Sequence, residues 1–194
     1  MEELQYRVPE QLVDFVQRSA GNQRRKWDLL DLGCGTGLAG VAFASFARQM
    51  VGVDLSAKML EKARARNLYQ RLEQQELLSM MKREPAASYD AVIATDVFIY
   101  VGNLAEIVPE ARRLLRPDGF LAFSVEAMED APGNKGTSGG NDFRLQASGR
   151  YSHSSSYLRR LAASGGFGKV EISPIDVRLE HGSPVRGFLT IMAL

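Results

Sequence analysis

Apolar positions along the chain keep switching between helical and strand spacing. Between Pro9 and Ser19 they fall at Leu12, Val13, Phe15 and Val16, which predicts a short amphipathic helix. Trp27–Leu32 is a nearly continuous apolar run, ending in an acid and glycines, and reads as a strand. Leu38–Arg48 is small and apolar and predicts a buried helix. Met50–Leu55 predicts a short strand, and Ser56 an N-cap for a helix over Ala57–Asn67. Tyr69–Leu77 alternates more weakly but fits a strand, followed by a short helix that Pro85 stops. Tyr89–Thr95 is a buried strand, Asn103–Leu115 a helix, Arg116–Gly119 a turn and Phe120–Val125 another strand. Ser154–Ser164 is the last helix, ending at Gly165-Gly166. Lys169–Leu179 and Gly187–Leu194 flank a Gly/Pro turn and are expected to pair antiparallel at a sheet edge.

Strands alternating with helices imply an α/β fold: a parallel sheet wound on both faces by right-handed crossovers, with one reversed C-terminal strand. Ligands then belong at the carboxyl ends of the strands. One domain over 1–194 is expected, its first 22 residues carrying the N-terminal helix. Residues 129–150 hold five glycines among polar residues, and read either as a surface loop or as a lid over a substrate.

Composition narrows the class. The 194 residues are enough for one sizeable core, and a net charge of +1 builds in no attraction to nucleic acid or membrane. No apolar run approaches the roughly 20 residues that span a bilayer. The first residues, MEELQYRVPEQ, are too polar and acidic for a secretory signal, so a cytoplasmic location is expected. One cysteine, Cys34, excludes an internal disulfide and a thiolate zinc cluster, and no His/Asp cluster suggests a metal.

Chemistry concentrates first in Asp31-Leu-Gly-Cys-Gly-Thr-Gly37, between a strand and a helix. Glycines let the backbone turn sharply and approach a ligand, and the following helix start offers N–H groups to an anionic moiety. Two readings compete. Gly35-x-Gly37-x-x-Gly40 fits a dinucleotide fingerprint, with Asp54 near the spacing of a ribose-binding acid. But Asp31 and Gly33 extend the pattern to D-x-G-x-G-x-G. An acid ending the first strand would repel a pyrophosphate and suits a cationic amino acid ligand such as S-adenosylmethionine.

On these residues the chain resembles the class I S-adenosylmethionine-dependent methyltransferases over nearly its whole length. The resemblance implies a Rossmann-like doubly wound sheet of seven strands, in spatial order 3-2-1-4-5-7-6. Asp31, Gly33, Cys34, Gly35, Thr36 and Gly37 match the loop that wraps the methionine part of the cofactor. Asp54 matches the acid that holds both ribose hydroxyls, and Leu55 and Met59 would pack on the adenine. Glu76-Leu77 occupies the place of the acid that accepts from the adenine amino group, with glutamate for the more usual aspartate. Thr95-Asp96-Val97 resembles the motif beside the reactive methyl, and Leu114–Gly119 the family's L-x-P-G-G turn, with Asp118 for a glycine. Tyr6-Arg-Val-Pro9, Asp96–Gly102 and Gly149–Ser154 resemble a bacterial group of tetratricopeptide-associated methyltransferases, similar in turn to malonyl-carrier-protein and trans-aconitate O-methyltransferases. In that family a helical segment usually precedes the position of Tyr6 and helps roof the cofactor, so a short roof is expected here.

Methyl transfer from a sulfonium is an in-line displacement, in which the protein aligns the nucleophile and excludes water. His153 is the candidate base for a hydroxyl, phenol or amine acceptor; its alternative is a polar residue at a helix start. Tyr151 and Tyr100 either bond substrate or pack. Asp96 faces the methyl or caps the next segment, and Glu126 ends the fifth strand with a similar claim. Arg150 pairs a carboxylate substrate or is solvated, and His181 reads as a turn residue. Cys34 fills a small-residue place, so a nucleophilic role is not expected. The expected partner is a small-molecule or carrier-bound acceptor, methylated at oxygen, with neither nucleic acid nor membrane involved. Methylation of a protein side chain, or cofactor binding without robust catalysis, are the alternatives.

Overall fold

Leu29 and Leu30 lie side by side in the first strand and are both inaccessible to solvent, yet they belong to different cores. Successive strand side chains point to opposite faces, so a strand with apolar residues on both faces must be covered on both sides. The computed structural model, which describes residues 7–20, 26–128, 142–180 and 182–194, shows both covers. Leu30, Leu32, Val92, Ala94, Leu121 and Phe123 face one core, and Leu29, Ala91, Ile93, Phe120 and Ala122 the other.

The elements run α1 Val8–Ala20, β1 Trp27–Leu32, α2 Leu38–Phe43, β2 Ala47–Asp54, α3 Ala57–Ala65, β3 Arg71–Gln74, α4 Leu77–Arg83 and β4 Tyr89–Ala94. They continue with α5 Ile107–Leu114, β5 Leu115–Met128, β6 Phe143–Leu145, β7 Tyr151–Ser154, α6 Ser155–Ser164, β8 Lys169–Glu180 and β9 Ser183–Ala193. β3, β2, β1, β4 and β5 are parallel neighbours in that order. β9 then runs antiparallel to β5 and carries β8 at the edge, as the C-terminal hairpin predicts. The α/β Rossmann-like class and the order of the seven principal strands are those expected.

Several boundaries differ for identifiable reasons. The helix expected over Leu38–Arg48 stops at Phe43, and β2 begins at Ala47 because the chain there joins the β1 ladder at Trp27. Phe46, in the turn, stacks on Trp27 at 5.8 Å. The third strand is only Arg71–Gln74, since Glu76 caps α4 instead of extending β3. β5 continues to Met128, and its last residues pair with β7, which forms a small hairpin with β6. Residues 143–154 are therefore largely strand; of the expected 129–150 loop, 129–141 lie outside the described residues. Asp118 takes φ +66°, the left-handed place of the glycine it replaces.

Below the sheet, at the N-terminal strand ends, the Asp28 carboxylate is bracketed by Arg48 and Arg116, and Arg116 also reaches Asp90 at 3.0 Å. A cleft of about 450 Å³ opens beside this cluster, lined by Asp28, Gln70, Arg71 and Arg116 among others. Arg71 and Arg116 already pair with Glu84 and with Asp28 and Asp90, so the cleft is a seam between paired side chains. The candidate chemistry lies at the other end of the strands.

Candidate active site

Between β1 and α2 the chain takes three left-handed steps, Gly33 at φ +61°, Gly35 at +52° and Gly37 at +83°. Glycine alone enters this region freely. Gly33 also has no room for a side chain: a Cβ there would lie 2.3 Å from a Val97 methyl. At Gly35 the nearest atom to such a Cβ is the Gly33 carbonyl at 3.9 Å, so the loop backbone is open to an incoming group there. Cys34 N–H donates to the Val53 carbonyl at 3.0 Å, tying the loop to the end of β2. Burial pushes the Cys34 thiol up, and the nearby Asp31 and Asp54 carboxylates push it further, so it is inert as a nucleophile near neutrality. The Thr36 carbonyl accepts from Arg66 Nε at 2.6 Å.

Asp54 ends β2 facing this loop. Its two carboxylate oxygens accept from Gly35 N–H at 2.9 Å and from Ser56 N–H at 2.8 Å. Each oxygen keeps a second lone pair, so the acid is fixed in place and can still accept from a ligand. Leu55 beside it is 69% exposed and Met59, on the first turn of α3, 42% exposed. Ser56 caps that helix as its sequence position predicts.

Asp31 is wholly buried at the end of β1. Tyr69 donates its hydroxyl to one carboxylate oxygen at 2.6 Å, while Oδ1 has no partner. Burial drives the Asp31 pKa up to about 7; the Tyr69 hydrogen bond opposes the rise and the Asp54 charge adds to it. An anionic acceptor left without a donor in the interior is costly, and a cationic ligand group would satisfy it. The open Gly35, the orphaned Asp31 oxygen, the fixed Asp54 and the exposed Leu55 and Met59 together fit S-adenosylmethionine: ammonium, ribose and adenine in turn. Tyr69 was not among the sequence candidates. The glycines opposite it were visible, but not that one ring would touch them all.

Glu76 has a structural role that its sequence position did not show. Its two oxygens accept from Leu78 N–H at 2.9 Å and Ser79 N–H at 2.7 Å, capping α4. Burial works against its charge, but these N–H groups win and hold its carboxyl below the usual range. Like Asp54, Glu76 is fixed in place with a second lone pair left on each oxygen, and Leu77 is the first residue of the helix it caps.

At the end of β4, Thr95 and Asp96 turn the chain away from the sheet. Asp96 takes φ +55°, an uncommon conformation for a non-glycine residue that often marks a functional turn. It is held from β5: Asp96 N–H donates to Ser124 Oγ at 2.8 Å, and that hydroxyl donates to the Asp96 carboxylate at 2.9 Å.

His153 sits inside the molecule on β7, not at the start of α6, which Ser154 caps. Its Nε2 lies 3.1 Å from the Val101 carbonyl and 3.0 Å from that of Gly102. Two acceptors at one nitrogen place the proton there, which leaves Nδ1 as a buried lone pair without a partner. Burial lowers its pKa, against the raising effect of the two carbonyls, so the ring is neutral near neutrality. Tyr157 stacks on it, and Phe143, which also meets Tyr151 edge-on, is tilted against it. Tyr100 is 66% exposed. Arg150 lies 3.6 Å from Glu180, and Glu126 is buried in an ion pair with Arg178 at 2.5 Å, so both are engaged by the protein itself. His181 and Tyr6 lie outside the described residues.

Residues 30–123 match the family described as methyltransferase domain. Malonyl-[acyl-carrier protein] O-methyltransferase of Halalkalibacterium halodurans is 36% identical over 122 residues, covering 59% of this chain and 44% of the relative. Trans-aconitate 2-methyltransferase of Azoarcus sp. is 36% identical over 111 residues, covering 55% and 42%. The chain thus spans less than half the length of those two relatives. Among solved structures, the Burkholderia thailandensis 1,6-didemethyltoxoflavin-N1-methyltransferase, with bound S-adenosylhomocysteine, superimposes with a TM-score of 0.73 at 16% identity, over 97% of this chain and 79% of that one.

Proposed function

We propose that this chain, which matches the methyltransferase domain family over residues 30–123, transfers a methyl group from S-adenosylmethionine to a small-molecule or carrier-bound acceptor, at oxygen. The observation that carries the reading is the buried Asp31 oxygen without a donor, at the head of a glycine loop that is open at Gly35. A dinucleotide would bring phosphates to that acid; S-adenosylmethionine brings an ammonium.

The cofactor supplies an activated methyl on a sulfonium. Asp31 accepts from the ammonium, Asp54 from the ribose hydroxyls with its remaining lone pairs, and Leu55 and Met59 cover the adenine. Glu76, fixed by the first turn of α4, has lone pairs left that can accept from the adenine amino group. Thr95 and Asp96, in the turn held by Ser124, border the place of the transferring methyl. Tyr151 and His153 form the acceptor side, with His153 fixing the 101–102 backbone.

His153 is inaccessible to solvent with its Nε2 turned onto two backbone carbonyls, which suits an acceptor that needs no base from it. Carboxylates are such acceptors, and both relatives are named for acceptors that carry them. The chain is accordingly read as acting on a carboxylate of a small acid or carrier-bound acyl group. A cytoplasmic location and no role for nucleic acid are part of this reading. Among the described residues no helix is long and apolar enough to cross a membrane. Calorimetry with S-adenosylmethionine and S-adenosylhomocysteine, followed by a coupled turnover assay over carboxylate, hydroxyl and amine acceptors, tests it. Micromolar binding with turnover on carboxylates is expected. Binding of NAD instead of either cofactor would overturn the reading, and binding without turnover on any acceptor would favour a non-catalytic module.

A further inference from the structure

Three glycines from three elements converge on one ring. A Cβ at Gly37 would lie 3.2 Å from Tyr69 Cε2, one at Gly52 3.0 Å from Cδ1, and one at Gly40 2.4 Å from the hydroxyl oxygen. Gly40 is thus a glycine because the phenol occupies the space above it. In the competing dinucleotide pattern, the third glycine instead lets a helix pack closely on a strand. The Tyr69 hydroxyl donates its proton to Asp31 at 2.6 Å.

We propose that Tyr69 is a positioning residue for the cofactor: its hydroxyl engages one oxygen of Asp31 and turns the carboxylate so that Oδ1 alone is left to receive the ligand's ammonium. This rests on the reading that the loop binds S-adenosylmethionine. The hydroxyl spends its one proton on one carboxylate oxygen and so determines which oxygen the ligand meets. It also favours the charged form of Asp31 against the burial and the Asp54 charge that oppose it; the other titratable group facing this carboxylate is the Cys34 thiol. Without the phenol proton, Asp31 would be held more firmly in its protonated form, which has less to offer a cation.

Tyr69→Phe keeps the ring that fills the space over the glycines and removes only the hydroxyl, so folding is expected to survive. Calorimetry compares S-adenosylhomocysteine, which carries the ammonium, with 5′-methylthioadenosine, which lacks the amino acid part. At pH 7 the variant is expected to bind S-adenosylhomocysteine roughly tenfold more weakly, the scale of one lost hydrogen bond to a charged group. Affinity for 5′-methylthioadenosine should stay within about twofold by the same scale. The pH at which S-adenosylhomocysteine affinity rises should move upward in the variant, and Gly40→Ala, which displaces the hydroxyl, should reproduce the pattern. Equal losses for both ligands, or an unmoved pH profile, would overturn the proposal and leave Tyr69 as packing. Failure of the unmutated protein to bind S-adenosylhomocysteine would instead overturn the cofactor reading on which it rests.

Discussion

Replacing Gly33 by alanine asks a methyl to occupy space that Val97 already fills. The new Cβ would lie 2.3 and 2.9 Å from the two Val97 methyl carbons and 3.2 Å from Val97 Cβ. A β-branched side chain is stiff about χ1 and cannot swing both methyls away, so the backbone of the 95–97 turn must move. The left-handed φ of +61° adds its own cost. The conformational part is about 1–2 kcal/mol and the overpacking about 1–3 kcal/mol, giving roughly 2–5 kcal/mol of lost stability. Val97→Ala alone should cost about 1 kcal/mol, because it deletes two methyls that are only partly buried. In the double variant the steric part disappears and the conformational part stays, so a coupling of about 1–3 kcal/mol is expected between neighbouring sites. Urea unfolding followed by fluorescence of the single tryptophan, the buried Trp27, reads all four corners of the cycle. Additive losses would refute the contact with Val97. A single-variant cost near zero would refute the backbone geometry itself.

Other consequences can be measured on the same protein. Glu76→Ala should cost about 1 kcal/mol of stability in urea melts through the lost cap of α4; an S-adenosylhomocysteine affinity left unchanged by calorimetry would rule out a role at the adenine. Arg178→Met strands the Glu126 carboxylate in the interior and should cost about 3 kcal/mol or more, whereas the double change with Glu126→Leu should recover most of it in urea melts. Asp31, whose folded pKa of about 7 lies above its unfolded value, favours the fold in its protonated form. Its contribution to the stability of the ligand-free protein is therefore full below the unfolded pKa, near 4, and is lost as pH rises to about 7, by an amount on the order of a few kcal/mol; Asp28, Glu76 and Glu84, with lowered pKa values, slope the other way. Asp31→Asn should remove that contribution from the pH dependence and abolish cofactor binding; a pH dependence of melting identical to that of the unmutated protein would show that Asp31 does not carry it. Asp54→Ala should weaken the cofactor by roughly 1–3 kcal/mol through lost hydrogen bonds, and unchanged affinity would rule out its ribose role.

The parts of the site that sequence could locate are those in which one local rule operates. A glycine loop between an apolar strand and a helix, an acid ending the next strand, and Ser56 before a helix each carry their geometry in neighbouring residues. The structure places Gly33, Gly35, Gly37, Asp54 and Ser56 accordingly. Glu76 and His153 are less legible for the same reason seen from the other side. Whether a carboxylate after a short strand faces a ligand or caps a helix depends on two backbone N–H groups that sequence does not orient. Whether a histidine beside a helix start is a solvated base or a buried donor depends on the carbonyls of Val101 and Gly102, some fifty residues earlier in the chain.

By itself, the alternation of apolar runs determined that this chain builds a sheet covered on both faces, because strands with apolar residues on both faces leave neither to water. The residues of the loop, Asp31 ahead of its glycines above all, put an acid where the proposed ligand carries a cation. Only the tertiary structure decided which hydrogen-bonding groups remain unspent once the chain has satisfied itself. Asp31 keeps a free oxygen because Tyr69 engages the other, Glu76 has an N–H on each oxygen from the helix it caps, and Glu126 is neutralised by Arg178. Those outcomes are set by distances of about 3 Å between residues far apart in sequence, and local propensity carries no information at that range.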